Sequence, residues 1–97
     1  MDIHNTKIKI TTDSGSYYII DDGYFNKNKT EWHSIHQLFF FNFEDLGIVR
    51  NWQEFWTYSE NMPKTYEPEV GKHMYISGRD VWWISTKIVS VEELSDD

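Results

Sequence analysis

The stretch that most constrains this chain is its last third, residues 72–91, which reads KHMYISGRDVWWISTKIVSV. Aromatic and β-branched residues crowd both arms, and such side chains fit a pleated, half-buried surface. Gly78-Arg79-Asp80 between the arms supplies turn chemistry, so the stretch predicts a β-hairpin running into a third strand. Successive strand residues point to opposite faces. Met74 and Ile76 therefore share one face with His73 and Tyr75 on the other, and in the second arm Trp82 and Ile84 lie opposite Val81 and Trp83. Past Thr86 the apolar positions become Ile88, Val89 and Val91, so the alternation changes phase near Ser85-Thr86-Lys87. That change predicts a β-bulge or sharp bend, the device by which a small barrel passes a strand from one sheet to the other.

The rest of the chain supplies partners for this hairpin. Lys7 to Thr12 alternates polar and apolar residues, Asp13-Ser14-Gly15 interrupts, and Ser16-Tyr17-Tyr18-Ile19-Ile20 resumes, a second hairpin with Ile8 and Ile10 on its buried side. Asp21-Asp22-Gly23 ends it, and Asn26-Lys27-Asn28-Lys29-Thr30 reads as a polar surface loop. Trp32 to Phe43 is a short apolar run in which strand is favoured over helix, and phenylalanines on both of its faces require cover by a helix or a partner chain. Asn51 followed by Trp52, Glu54, Phe55 and Trp56 is a helix start with an Asn capping box, predicting one helix over Asn51–Glu60 that lays its tryptophans on a sheet and stops at Asn61-Met62-Pro63. Tyr66-Glu67-Pro68-Glu69 reads as an extended connector. The expected fold is α+β: a strongly curled antiparallel sheet or SH3-like barrel of five or six strands, in a single domain of residues 1–97 with a frayed acidic tail over 92–97.

Composition narrows the function classes. Cysteine is absent, which removes disulfides, thiolate nucleophiles and cysteine-bound zinc. The start lacks the basic-then-apolar order of a secretory signal and the longest apolar run, Leu38 to Phe41, is far short of the ~20 residues of a membrane helix, so a cytoplasmic protein with no membrane contact is expected. Sixteen acidic against nine basic side chains give a formal charge of −7, which disfavours direct nucleic-acid binding and suits a partner with a basic surface.

Candidate reactive groups do not assemble into a motif. His33 and His36 share a face only on a helix, so a metal site needs that assignment plus a third ligand such as His73 or Asp45; scattered histidines, His4 included, are the simpler reading. The carboxylate pairs Asp21-Asp22, Glu44-Asp45, Glu92-Glu93 and Asp96-Asp97 are neighbours on turns or a tail, not two groups facing one cleft. Ser14-Gly15 and Ser77-Gly78 are turn residues rather than a nucleophile elbow, and the five glycines are scattered. The expectation is no enzyme, no cofactor and no metal.

The one excess is aromatic, and Trp82-Trp83 must face opposite ways on a strand, so one indole is exposed unless both faces are covered. The leading reading is a non-catalytic protein-binding module whose contacts are Asp21, Asp22, Glu44, Asp45, Glu67, Glu69 and Asp80 with Trp83 and Tyr75. In composition it is similar in style to small phage and mobile-element proteins that inhibit a host protein by occupying its basic or nucleic-acid-binding surface. Two other readings are a homo-oligomeric accessory protein, with the Phe39–Phe41 strand buried between copies, and a domain that binds a sugar, nucleobase or single strand by aromatic stacking.

Overall fold

Alternation decides the first two strands. In the computed structural model, which describes residues 7–94, β1 (Lys7–Thr12) and β2 (Tyr17–Asp21) pair antiparallel with Ile8 opposite Ile20 and Ile10 opposite Tyr18, all four buried. Asp22 and Gly23 then both adopt positive φ, 49° and 84°, the conformation a two-residue type I′ turn demands. The chain folds straight back. β3 (Tyr24–Lys27) pairs with β2, so Asn26, read as loop from sequence, is a buried strand residue whose Oδ1 accepts the Lys29 N–H at 3.3 Å. β4 (His33–Ser34) adds to β3, and β8 (Ile88–Leu94) adds to the far side of β1, giving a five-stranded sheet in the order β4-β3-β2-β1-β8.

A second, three-stranded sheet holds β5 (Gln37–Phe41), β6 (His73–Ser77) and β7 (Trp82–Ile84) in that order. All its pairings are antiparallel, as in the first sheet. Within the Trp32–Phe43 run the chain is strand over His33–Ser34 and Gln37–Phe41, broken at Ile35-His36, and Phe43 opens a 3-10 turn. Eight strands stand among the described residues where five or six were expected, because short pieces such as β3 and β4 carry no strong period of their own. The single helix, α1 (Trp52–Ser59), completes an α+β architecture of two antiparallel sheets and one helix.

The phase change near Ser85 is where the chain leaves one sheet for the other. The Ser85 hydroxyl accepts the Met74 N–H at 2.9 Å and donates to the Thr86 carbonyl at 2.8 Å, tying the corner to β6. Beyond it, Thr11 pairs with Ser90 and Thr12 with Ile88, so Val89 is the extra, unopposed residue of a bulge. Glu92, Glu93 and Leu94 are rungs of β8 opposite Lys9, Ile8 and Lys7, which corrects the reading of 92–97 as a frayed tail; residues 95–97, like His4, lie outside the described residues.

These elements make three layers, five-stranded sheet, three-stranded sheet and helix, with a core on each side of the middle layer. Between the sheets, Ile8, Ile10, Tyr18, Ile20, Phe25 and Ile88 meet Phe40, Met74 and Ile76. On the opposite side, Phe39, Phe41 and Tyr75 meet Leu46, Phe55 and Met62. Strands covered on both faces have no polar face, and this is why LFFF and MYI read as unbroken apolar runs. Cover comes from α1 and its flanking loops, so the Phe39–Phe41 strand needs no second copy to bury it.

Candidate functional site

Helix α1 is held at its start by local chemistry. The Asn51 Oδ1 accepts the Glu54 N–H at 2.9 Å, the cap expected from sequence. The Glu54 carboxylate does not close the box on Asn51 but reaches one residue further back. It accepts the Arg50 backbone N–H and the Arg50 Nε–H, each at 2.9 Å, and lies 2.6 Å from the Arg50 Nη2. The Arg50 guanidinium, and after it the Arg50 backbone N–H, hold this carboxyl below the usual carboxylate range. The pair is at the surface, so it fixes geometry more than stability.

Only Phe55 and Ser59 of the helix are buried. Phe55 fits between Phe41 and Tyr75, with ring centroids 5.9 and 6.0 Å away. Trp52 and Trp56 turn their edges to Phe55 from either side, at 5.6 and 5.5 Å, and keep much of their area in solvent. This corrects the expectation that the helix buries its tryptophans. A helix of eight residues presents one narrow stripe to the sheet, and Phe55 and Ser59, four residues apart, take it.

Beside the helix N-terminus the middle sheet is left open. Trp82 of β7 stands 52% exposed and meets Trp52, 44% exposed, edge to face at 5.7 Å. Phe43 sits edge-on to His73 at 4.5 Å. The His73 Nδ1 lies 2.9 Å from the Ser85 carbonyl oxygen, which can only accept, so that nitrogen carries the proton and the ring is pinned. Phe43, Trp52, His73, Trp82 and Ile84, together with Trp83, Ser85 and Thr86, line a groove of about 470 Å³. Its floor is apolar, its walls are aromatic rings already locked against one another, and Ile48, 85% exposed, stands in the loop leading to α1.

The structure sorts the residues singled out from sequence. Tyr75 is 3% exposed and stacked on Phe39 at 5.0 Å, so it is a core residue and no surface contact. Trp83 turns toward the inter-sheet core, edge-on to Phe25 at 5.8 Å with the Lys27 ammonium 5.4 Å from its ring. Of the adjacent pair, the open indole is Trp82. The seven acidic residues are not on one face. Asp21 at the end of β2 and Asp22 and Asp80 on turns lie at one end, drawn together where the Ile35 N–H bonds the Gly23 carbonyl and the His36 N–H bonds the Ser77 carbonyl, both at 2.8 Å. Glu44 and Asp45 follow β5 at the opposite end of the β5–β6 ladder, where Phe41 pairs with His73, and Glu67 is exposed in the connector between Thr65 and β6. Glu69 is ion-paired to Lys72 at 3.0 Å, while Glu44 and Asp45 follow Phe43 directly in an exposed 3-10 turn over Phe43–Asp45.

Sequence reasoning missed Trp52, Phe43 and Trp82 as a surface group. The parity of Trp82 and Ile84 put them on one face, but nothing in the sequence says how far the helix extends over that face. His33 lies 3.9 Å from Glu31 and packs against Phe25 and Trp83, away from His73. No three histidines or carboxylates among the described residues converge to hold a metal ion. Nor is any helix among them long and apolar enough to cross a membrane. Comparisons with family models, curated proteins and solved structures return no match.

Proposed function

We propose that this protein is a non-catalytic binding module that docks a protein partner on the open aromatic surface formed by Phe43, Trp52 and Trp82. The observation that carries the reading is the Trp52–Trp82 pair, two half-exposed indoles held edge to face at 5.7 Å beside an apolar groove. Buried tryptophan anchors dominate binding energy at protein interfaces, and rings already ordered lose little freedom on docking. The acidic part of the surface is the rim, Glu44 and Asp45 beside Phe43, and the net charge of −7 favours a partner whose matching surface is basic. A surface of that sign is one that otherwise holds nucleic acid, and the module then acts as an inhibitor by occupying it.

The test is capture from a host lysate with the wild-type chain and with the double variant Trp52→Ala/Trp82→Ala, followed by titration of the captured protein at low and high salt. One protein retained by the wild type, lost by the variant and bound more weakly as salt rises is the expected outcome. Retention undiminished in the double variant removes the aromatic surface from the interface, and salt-independent affinity removes the basic partner.

A further inference from the structure

A second groove lies on the other side of α1, and its chemistry is different. It encloses about 520 Å³, inside the range of small-molecule sites. Phe39 forms the floor, and Trp56 and Tyr66 stand over it 41% and 67% exposed. His36, Gln37, Glu60 and Lys64 are the larger polar groups of the wall, with Leu38 and Ser59 beside them. The site is built from fixed parts. Thr65 is bonded to Phe40 in both directions, N–H to carbonyl at 3.0 and 2.8 Å, and this bridge sets Lys64 and Tyr66 beside β5. Trp56 is braced against Tyr75, edge to face at 5.1 Å, and the Lys64 ammonium hangs 5.6 Å from the Phe39 ring centroid.

Elimination by charge decides what fits. An anion gains Lys64 but meets Glu60 and the negative end of α1, a cation gains Glu60 but meets Lys64, and a purely apolar ligand leaves an imidazole, an amide, a carboxylate and an ammonium to be desolvated without partners. A neutral ring with an apolar face and a hydroxylated edge satisfies all of them. Its C–H face lies on the indole or phenol, and its hydroxyls donate to Glu60 and Gln37 and accept from Lys64. We propose that this groove is a carbohydrate-binding site, taking a short neutral glycan across Trp56 and Tyr66. A nucleotide brings phosphates toward a protein of charge −7, so nucleic acid is the poorer occupant.

The test uses the full chain and nitrogen-15 spectra, with maltotriose, cellotriose and chitotriose as probes and adenosine as the stacking control. At least one trisaccharide is expected to shift the Trp56 indole N–H and leave Trp52 and Trp82 in place. Tyr66→Ala and Glu60→Gln alter exposed side chains and leave the fold intact, and each is expected to weaken that binding by about tenfold. The proposal is overturned if none of the three sugars moves Trp56, if the shifts survive undiminished in both variants, or if adenosine alone moves it, which reassigns the groove to a nucleobase.

Discussion

The two faces of β6 are one residue apart in sequence and differ in kind. On one, Met74 and Ile76 enter a core of mostly aliphatic side chains sealed by a five-stranded sheet, where the buried members are almost wholly excluded from solvent. On the other, Tyr75 enters a core of rings covered by an eight-residue helix, and around that helix Phe43, Trp52, Trp56 and Trp82 remain partly in solvent. A sheet covers a sheet along its whole width, whereas one short helix covers a stripe. The inner face is therefore the sealed one, and the outer face, incompletely roofed, leaves open the surfaces proposed above for docking.

Substitutions can break or sharpen that contrast. The largest effect is expected for Phe40→Ala on the inner face, a loss of about 3–5 kcal/mol in urea denaturation, because a fully buried ring leaves a cavity between two sheets that cannot close up. A loss as small as that of a surface residue would mean the inner core is not the stability centre. Gly78→Ala comes next. A methyl there would sit 3.0 Å from the Ser34 carbonyl oxygen and 3.1 Å from the His33 Cβ, forcing the β6–β7 turn away from β4 at a cost of about 1–3 kcal/mol in the same measurement.

On the outer face, Asn51→Ala removes the helix cap and is expected to cost about 1 kcal/mol, with amide exchange speeding up in α1 and unchanged in β1 and β2. Tyr18 reports the inner face through pH. Burial pushes its phenol from 10.0 up to about 12, so the folded state holds the proton longer than the unfolded state. The contribution of Tyr18 to stability is level below pH 10, falls as the unfolded tyrosine ionises first, and stops falling once the folded phenol ionises near 12. Tyr18→Phe is expected to flatten that slope in melts between those limits. The smallest effect on folding belongs to Trp82→Ala, less than about 1 kcal/mol for a half-exposed ring with one edge contact, together with loss of partner binding. Large destabilisation by this change would make Trp82 a structural residue.

What was legible in the sequence follows the same division. Strict alternation in β1 and β2, the Asn51 cap and the phase change at Ser85 are local signals, and each has its physical cause within a few residues. Asp22-Gly23 was an equally local signal for a type I′ hairpin, but the strand after it was hidden by Asn26, whose polarity reads as loop while its amide is satisfied by Lys29 inside the fold. The site was less accessible. That one of Trp82 and Trp83 faces outward follows from parity, but which one is set by where the five-stranded sheet lies, a long-range fact. The acidic residues likewise scatter because strand order, not sequence, decides which turns share an end.

The brevity of β7 ties recognition to folding. Its two indoles occupy consecutive rungs, and the Gly78 N–H bonded to the Val81 carbonyl at 2.8 Å sets which rung each occupies. A slip of one position along β6 would swing Trp83 out to solvent and drive Trp82 between the sheets, erasing the proposed docking ring and spoiling the interior in a single step. On the docking proposed above, a change of partner is expected to fall on Phe43, Ile48 or Trp52, which loop and helix can re-aim, and to leave the strand that carries Trp82 at its present length.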